Sequence, residues 1–289
     1  MQIRRPMHIK AGLLASAVLV ILSHAAQSAC LDDIRKKGTL TAGSGIMGDK
    51  PSLWQDQSGT YHGIDWDLLR QIATRIGVPN ISFVTTEWTS LIPGLQAKRW
   101  DIILSDIEIT QERVIKAHVD FSRPYFLLYD YVIVMKDSPI QTLADLKGKT
   151  LGSTLGTNDS LTAHQLVGDG VAATVKDFNT FGDPFVALKN GQIDAAVLDQ
   201  ATLAGQRTLM SNLRTVGGPI RRRPKPEWAE AEAKAAYRLG SEGVATRQEC
   251  KDLLNAINAA LTDMEADGTR QAILAKYGVW EPEQAKLTK

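Results

Sequence analysis

Strands and helices alternate twice along this chain, and that alternation constrains the fold more than any other feature of the sequence. The first run begins with a short strand at Thr39–Gly43. A helix follows over Ile64–Ile76, with Leu68, Leu69, Ile72, Ala73 and Ile76 at helical spacing and Gly77 behind them as a cap. Ile81–Thr85 reads as the next strand and Thr89–Lys98 as the next helix, with Pro93 in its first turn, where proline is tolerated. Asp101–Leu104 closes this first run as a strand. The second run starts at Tyr129–Met135, a strand long enough to pass from one lobe to another. It continues through a helix at Thr142–Lys147, a strand at Thr150–Thr154, a helix at Ser160–Leu166 and a strand at Ala173–Phe178. A helix at Asp183–Lys189 and a strand at Ala195–Leu198, ending at Asp199, complete it. Such alternation predicts α/β architecture with largely parallel sheets covered by helices.

Ligands of open α/β sheets bind outside the carboxyl ends of the strands, so the polar residues at those ends matter most. In the first run the apolar stretch Trp100–Leu104 stops at SDIEITQERVIKAHVDFS (residues 105–122), and in the second the corresponding loops hold Gly156–Ser160 and Asp199. The rest of the chain is read around these loops. Cys30–Lys37 forms a short helix with acids in its first turn and lysines in its last, matching the helix dipole. Gln57–Gly59 makes a hairpin-like turn, and Trp54, Trp66 and Trp100 are packing residues. Arg221–Glu242 is expected to be a surface excursion with a short helix at Glu227–Ala236, and its basic run Arg221–Lys225 a solvated loop. A return strand at Gly243–Thr246 leads to a helix whose stripe Leu253, Leu254, Ile257, Leu261 and Met264 packs on the core. Thr269–Tyr277 is a last helix, and the tail after Trp280 is expected to be mobile.

The N-terminus has the layout of a secretory signal peptide over residues 1–29: Arg4, Arg5 and Lys10, an apolar stretch from Ala11 to Leu22, then small residues. That apolar stretch is shorter than the roughly 20 residues a membrane span needs. The two cysteines, Cys30 and Cys250, stand at opposite ends of the exported chain. They are read as a disulfide in an oxidising compartment, with a lipid-modified Cys30 as the competing reading. A formal net charge of +1 gives no footprint for nucleic acid. His62, His118 and His164 lack metal-ligand spacing. Leu143 stands where a phosphate loop ending in Gly148-Lys149-Thr150 would need glycine. No metal and no cofactor is expected.

The blocks GIDWDLLRQIATRIGV, SLIPGLQAKRWDIILSDIEITQER, VDFSRPYF, LADLKGKTLGSTLGT, ALKNGQIDAAVLD and MEADGTRQAILAKYG follow one another in order. Together they resemble the amino-acid-binding members of the family 3 periplasmic solute-binding proteins of ABC importers, over roughly Asp32–Trp280. The resemblance implies a two-lobed periplasmic-binding-protein fold of type II, with two hinge strands and a ligand cleft between the lobes. Residues 30–128 with 239–289 would form one lobe and 129–238 the other. It implies that Arg113 clamps the ligand carboxylate, as a guanidinium fork suits, and that Asp199 takes the ammonium group. Ser105, Thr157 and Asn158 would add hydrogen bonds and Trp88 a pocket wall. The competing roles are an internal salt bridge for Arg113 to Asp106 or Glu108, and a helix cap before Ala201–Thr208 for Asp199.

Asp106 and Glu108 stand where the family often has small or hydroxyl residues, and Gly48-Asp49-Lys50 where an aromatic lid is expected. Read as alternating on one strand face with Ile107 turned away, the two acids point at the ligand and predict a cationic amino acid. The expected partners are that ligand and a membrane permease, for a monomer in the periplasm that does not bind nucleic acid and is not an enzyme. The alternatives are a sensor or accessory binding protein for another small molecule, and an enzyme on the same fold.

Overall fold

The computed structural model describes residue 2, residues 29–45 and residues 50–287. The signal-peptide reading, apart from residues 2 and 29, and Gly48-Asp49 of the lid position lie outside the described residues. Two mixed five-stranded sheets, each covered by helices, carry the fold.

The first half supplies α1 (Cys30–Lys37), β1 (Thr39–Ser44), the hairpin β2 (Trp54–Gln55) and β3 (Tyr61–His62), and α2 (Ile64–Arg75). Then come β4 (Asn80–Thr85), α3 (Leu91–Gln96), β5 (Ile102–Ile103), α4 (Gln111–Ile115), β6 (Val119–Phe121) and β7 (Phe126–Leu127). The second half adds β8 (Asp130–Met135), β9 (Thr150–Thr154), α5 (Asn158–Gly168), β10 (Thr174–Phe178) and α6 (Asp183–Lys189). After β11 (Ala195–Asp199), α7 (Gln200–Leu209) and β12 (Leu213–Ile220), the chain runs through α8 (Ala229–Lys234), β13 (Ser241–Glu242) and β14 (Ala245–Arg247) to α9 (Lys251–Ala266) and α10 (Thr269–Lys276).

The first sheet has the order β4-β1-β5-β14-β6, parallel across β4, β1 and β5 and antiparallel where β14 joins. The second has the order β10-β9-β11-β8-β12, with β8 and β12 antiparallel to the rest. β8 therefore lies wholly in the second sheet and does not run between lobes as its length suggested. The crossings are made by the segments carrying β7 and β13, which pair antiparallel at Ser241↔Leu127 and Glu242↔Phe126.

The periodic residues of α2, Leu68, Leu69, Ile72, Ala73 and Ile76, are all buried in the largest core, with Leu253, Ile257, Leu261 and Met264 of α9. Each fully buried side chain of this size contributes about 1.5–3 kcal/mol. Behind the first sheet, Trp100 is 1% exposed. Its ring lies so close to Gly43 and Gly94 that a Cβ there would sit 2.6 and 2.0 Å from it, which accounts for a glycine inside α3. The Thr89–Lys98 helix is a 3-10 turn at Trp88–Ser90 followed by α3.

Cys30 and Cys250 are joined in a disulfide that ties α1 to the N-cap of α9, with Cα atoms 5.4 Å apart. The Cys30 sulfur is thereby committed, and the lipid reading does not hold in this structure. The tail after Trp280 is also not free. Gln284 is 2% exposed, and its side-chain amide accepts from Leu127 N and donates to Leu127 O, both at 3.0 Å, so the tail is stitched to a crossing strand. Among the described residues, no helix is long and apolar enough to cross a membrane.

Candidate functional site: an acidic cleft lined by two arginines

The loops after β5, β9 and β11 converge, as the strand-end argument requires, on a cleft between the sheets whose cavity measures about 30 Å³. That is room for water rather than for a small molecule, so a ligand enters only as the two sides part. From the first lobe come Trp88, Asp106, Glu108 and Arg113. From the second come Thr157, Asn158, Asp199 and Arg222. Contacts already clasp the two sides: Trp88 Nε1 donates to the Gly156 carbonyl at 3.1 Å, and its ring meets Phe181 edge-on at 5.5 Å. Leu53, from the loop after β1, packs among Phe181, Leu198 and Leu203.

Local chemistry fixes the backbone around the cleft. Thr110 caps α4 by accepting from Arg113 N at 3.2 Å, which orients the arginine at the start of the helix. Thr157 caps α5 by accepting from Ser160 N at 3.1 Å. Asp199 caps α7: Oδ1 accepts from Ala201 N at 2.7 Å and Thr202 N at 2.9 Å, and Oδ2 accepts from Thr202 Oγ1 at 2.7 Å. A carboxylate has about four acceptor sites, so Asp199 retains acceptor capacity on Oδ2 while capping. The N-terminal turns of α5 and α7 both open on the cleft, bringing positive dipole ends to an acidic lining.

The two arginines differ. Arg113 donates from Nη1 to the Glu108 carbonyl, and among the described residues it forms no ion pair with a carboxylate. Burial pulls its pKa down, with the charges of Glu108 and Glu242 opposing that. Arg222 is heavily paired. Its Nε and Nη2 donate to Asp130 Oδ1 at 2.9 and 2.6 Å, Nη2 also to Asp159 and Nη1 to Glu108, while Glu242 stands 3.9 Å away. Burial works against its charge, but Asp130, Glu108 and Asp159 together raise its pKa well above the ordinary value. The basic run is therefore no solvated loop at this residue: the Arg222 side chain is 7% exposed. Its neighbours fit the expectation better, with Arg223 paired to Asp169 and Lys225 to Glu112 nearer the surface.

The acids are equally distinct. Asp106 accepts from Ser52 Oγ and leaves Oδ1 unpartnered, and burial pushes its pKa up to about 7, with Asp199 adding to the rise. Behind it Asp65 is fully buried with neither oxygen hydrogen-bonded, and burial raises it well above the usual carboxylate range. Glu108 has both oxygens engaged: Oε1 accepts from Gly240 N at 2.6 Å, and Oε2 from Asn158 and Arg222.

A family model, bacterial extracellular solute-binding proteins, family 3, matches residues 44–279. The chain belongs to that family. Among its relatives, the L-cystine-binding protein TcyJ of Escherichia coli is 30% identical over 92% of this chain and 93% of its own length. The ABC transporter arginine-binding protein 1 of Escherichia coli is 32% identical, over 73% and 79%. The lysine/arginine/ornithine-binding periplasmic protein of Escherichia coli is 29% identical, over 93% and 97%. Among solved structures, an ancestral amino acid-binding protein, AncCDT-1, called a precursor of cyclohexadienyl dehydratase, superposes with a TM-score of 0.69 at 30% identity, over 86% of this chain and 98% of that one.

Within this solute-binding protein, Trp88, Asp106, Glu108, Arg113, Thr157, Asn158 and Asp199 all line the same cleft. Ser105 does not; it is buried behind the lining, where its Oγ accepts from Gly45 N at 3.0 Å and from Ser44. The route by which Asp106 and Glu108 reach the cleft is not strand alternation. β5 ends at Ile103, and Asp106 sits at φ +46°, a left-handed kink. Sequence reasoning missed Ser52, Asp159, Phe181, Thr202 and Arg222. Thr202 could have been found from Asp199, since a capping acid bonds residues two and three places on. Arg222 carries no local signal.

Proposed function

We propose that this chain is the periplasmic substrate-binding protein of an ABC importer, and that it takes an amino acid into the cleft and delivers it to a membrane permease. The observation that carries this is the Arg113 guanidinium, which lines the cleft together with Asp199 and, among the described residues, forms no ion pair. A fork of donors on one side and a spare carboxylate acceptor on the other suit the α-carboxylate and α-ammonium of a zwitterion. Asn158 and Thr157 add polar edges and Trp88 a wall.

Residues 30–128 with 239–289 act as one lobe and 129–238 as the other, hinged at β7 and β13. A ligand contacting both Arg113 and Asp199 favours the closed state because its contacts with the two states differ. Residues 1–29 export the chain, which works as a monomer, without nucleic acid and without turnover. The cystine- and arginine-binding relatives support the amino-acid class.

The test is thermal stabilisation of the exported protein across the amino acids, with Arg113→Ala alongside. At about 100 times its dissociation constant a ligand adds roughly 2.7 kcal/mol. The expected result is stabilisation of the wild type by at least one amino acid and none of the mutant. Equal responses would remove Arg113 from the site, and chemical conversion of the bound ligand would favour an enzyme.

A further inference from the structure

The excursion between β12 and β13 places a cation inside the cleft, and the geometry points to a consequence for ligand choice. We propose that Arg222 is a built-in substitute for the cationic side chain of a ligand, so that this chain selects an amino acid whose side chain is uncharged. The inference rests on the amino-acid reading above and narrows it.

Four carboxylates surround the Arg222 guanidinium: Glu108 and Glu242 at or beside the crossing on the first-lobe side, and Asp130 and Asp159 on the second. An acidic box of this kind, reached from both lobes, is what a free guanidinium or ammonium group would need. Here the chain fills it from within, and the filler lines the same cavity as Arg113 and Asp199. Glu108, the acid that predicted a cationic ligand, has both oxygens engaged by Gly240 N, Asn158 and Arg222. A lysine or arginine ligand would therefore bring a second cation beside Arg222 with Glu108 already taken. Asp106, which also lines the cleft, has Oδ1 without a hydrogen bond among the described residues, an acceptor for an uncharged polar group. An acidic side chain would lie against Asp106 and Asp159, and is disfavoured in turn.

The experiment is isothermal titration calorimetry of the exported wild type and of Arg222→Ala with L-glutamine, L-arginine and methylguanidinium, at one ionic strength. The wild type is expected to bind glutamine at least 100-fold more tightly than arginine and to ignore methylguanidinium. Arg222→Ala should gain at least tenfold for arginine and bind methylguanidinium in the vacated box. Should that variant not fold, the charge-matched pair Arg222→Gln with Glu108→Gln must still narrow the preference for glutamine over arginine at least tenfold. A wild type that binds arginine as well as glutamine overturns this proposal and leaves the amino-acid reading standing. A wild type that binds neither, and that no amino acid stabilises in the thermal scan above, overturns that reading instead. The Arg222 assignment is then decided by methylguanidinium, whose failure to bind Arg222→Ala overturns it.

Discussion

Arg113 and Arg222 line one cavity with the same functional group, yet their surroundings are opposite. Arg113 is half-buried and its guanidinium donates to a single carbonyl, so donors remain for an incoming carboxylate. Arg222 has exchanged water for an array of acids, so its charge is satisfied before any ligand arrives. The difference teaches that burial alone does not mark a ligand-binding cation. An unfilled set of donors does.

The largest expected effect tests this contrast without ligand. Removing Arg222 leaves Glu108, Asp130 and Asp159 buried and uncompensated, and breaking such a cluster costs about 3–5 kcal/mol. Arg222→Ala should lower the urea midpoint accordingly, whereas Arg113→Ala should change unliganded stability by less than about 1 kcal/mol. Similar losses for both in denaturant unfolding would end the distinction.

Next in size is a test of whether Arg113 depends on closure. Gly205 in α7 lies against the first lobe, and a Cβ there would stand 1.8 Å from the Lys50 carbonyl oxygen. Gly205→Ala should push α7, and Asp199 at its start, away from Arg113. Ligand affinity is expected to fall about tenfold, or ~1.4 kcal/mol. An unchanged dissociation constant would show that the contact yields without cost.

The smallest effect concerns pH. Asp106 has a folded-state pKa raised to about 7, against 3.8 as the ordinary value. Between those values the folded chain keeps a proton that the unfolded chain has lost, so stability falls as pH rises through this window and levels off above about 7. Ser52, Asp65 and Asp199 are the groups facing it, and the Ser52 hydrogen bond opposes the shift. Asp106→Asn should flatten this part of the stability profile measured by urea unfolding between pH 5 and 8. A mutant as steep as the wild type would place the titration elsewhere.

What could be read from the sequence follows the range of the forces involved. α1 and α6 have the boundaries that their periodicity and termini predict, because spacing and capping act within one turn. Arg113 and Asp199 could be found because each belongs to a family motif that is continuous in the sequence, ITQER and IDAAVLD. β6, β7 and β12 went unread, since short strands are made by pairing across the sheet. Arg222 was misread for the same reason: its acids lie 114, 92 and 63 residues away, while its immediate neighbours are polar and proline-rich.

The sequence by itself determined the α/β alternation, the family, and the strand ends at which a cleft had to form, all of them consequences of local periodicity and motif. Only the tertiary structure decided which charges meet inside that cleft. Coulomb attraction between buried groups depends on distance in space and on the exclusion of water, and neither is written along the chain.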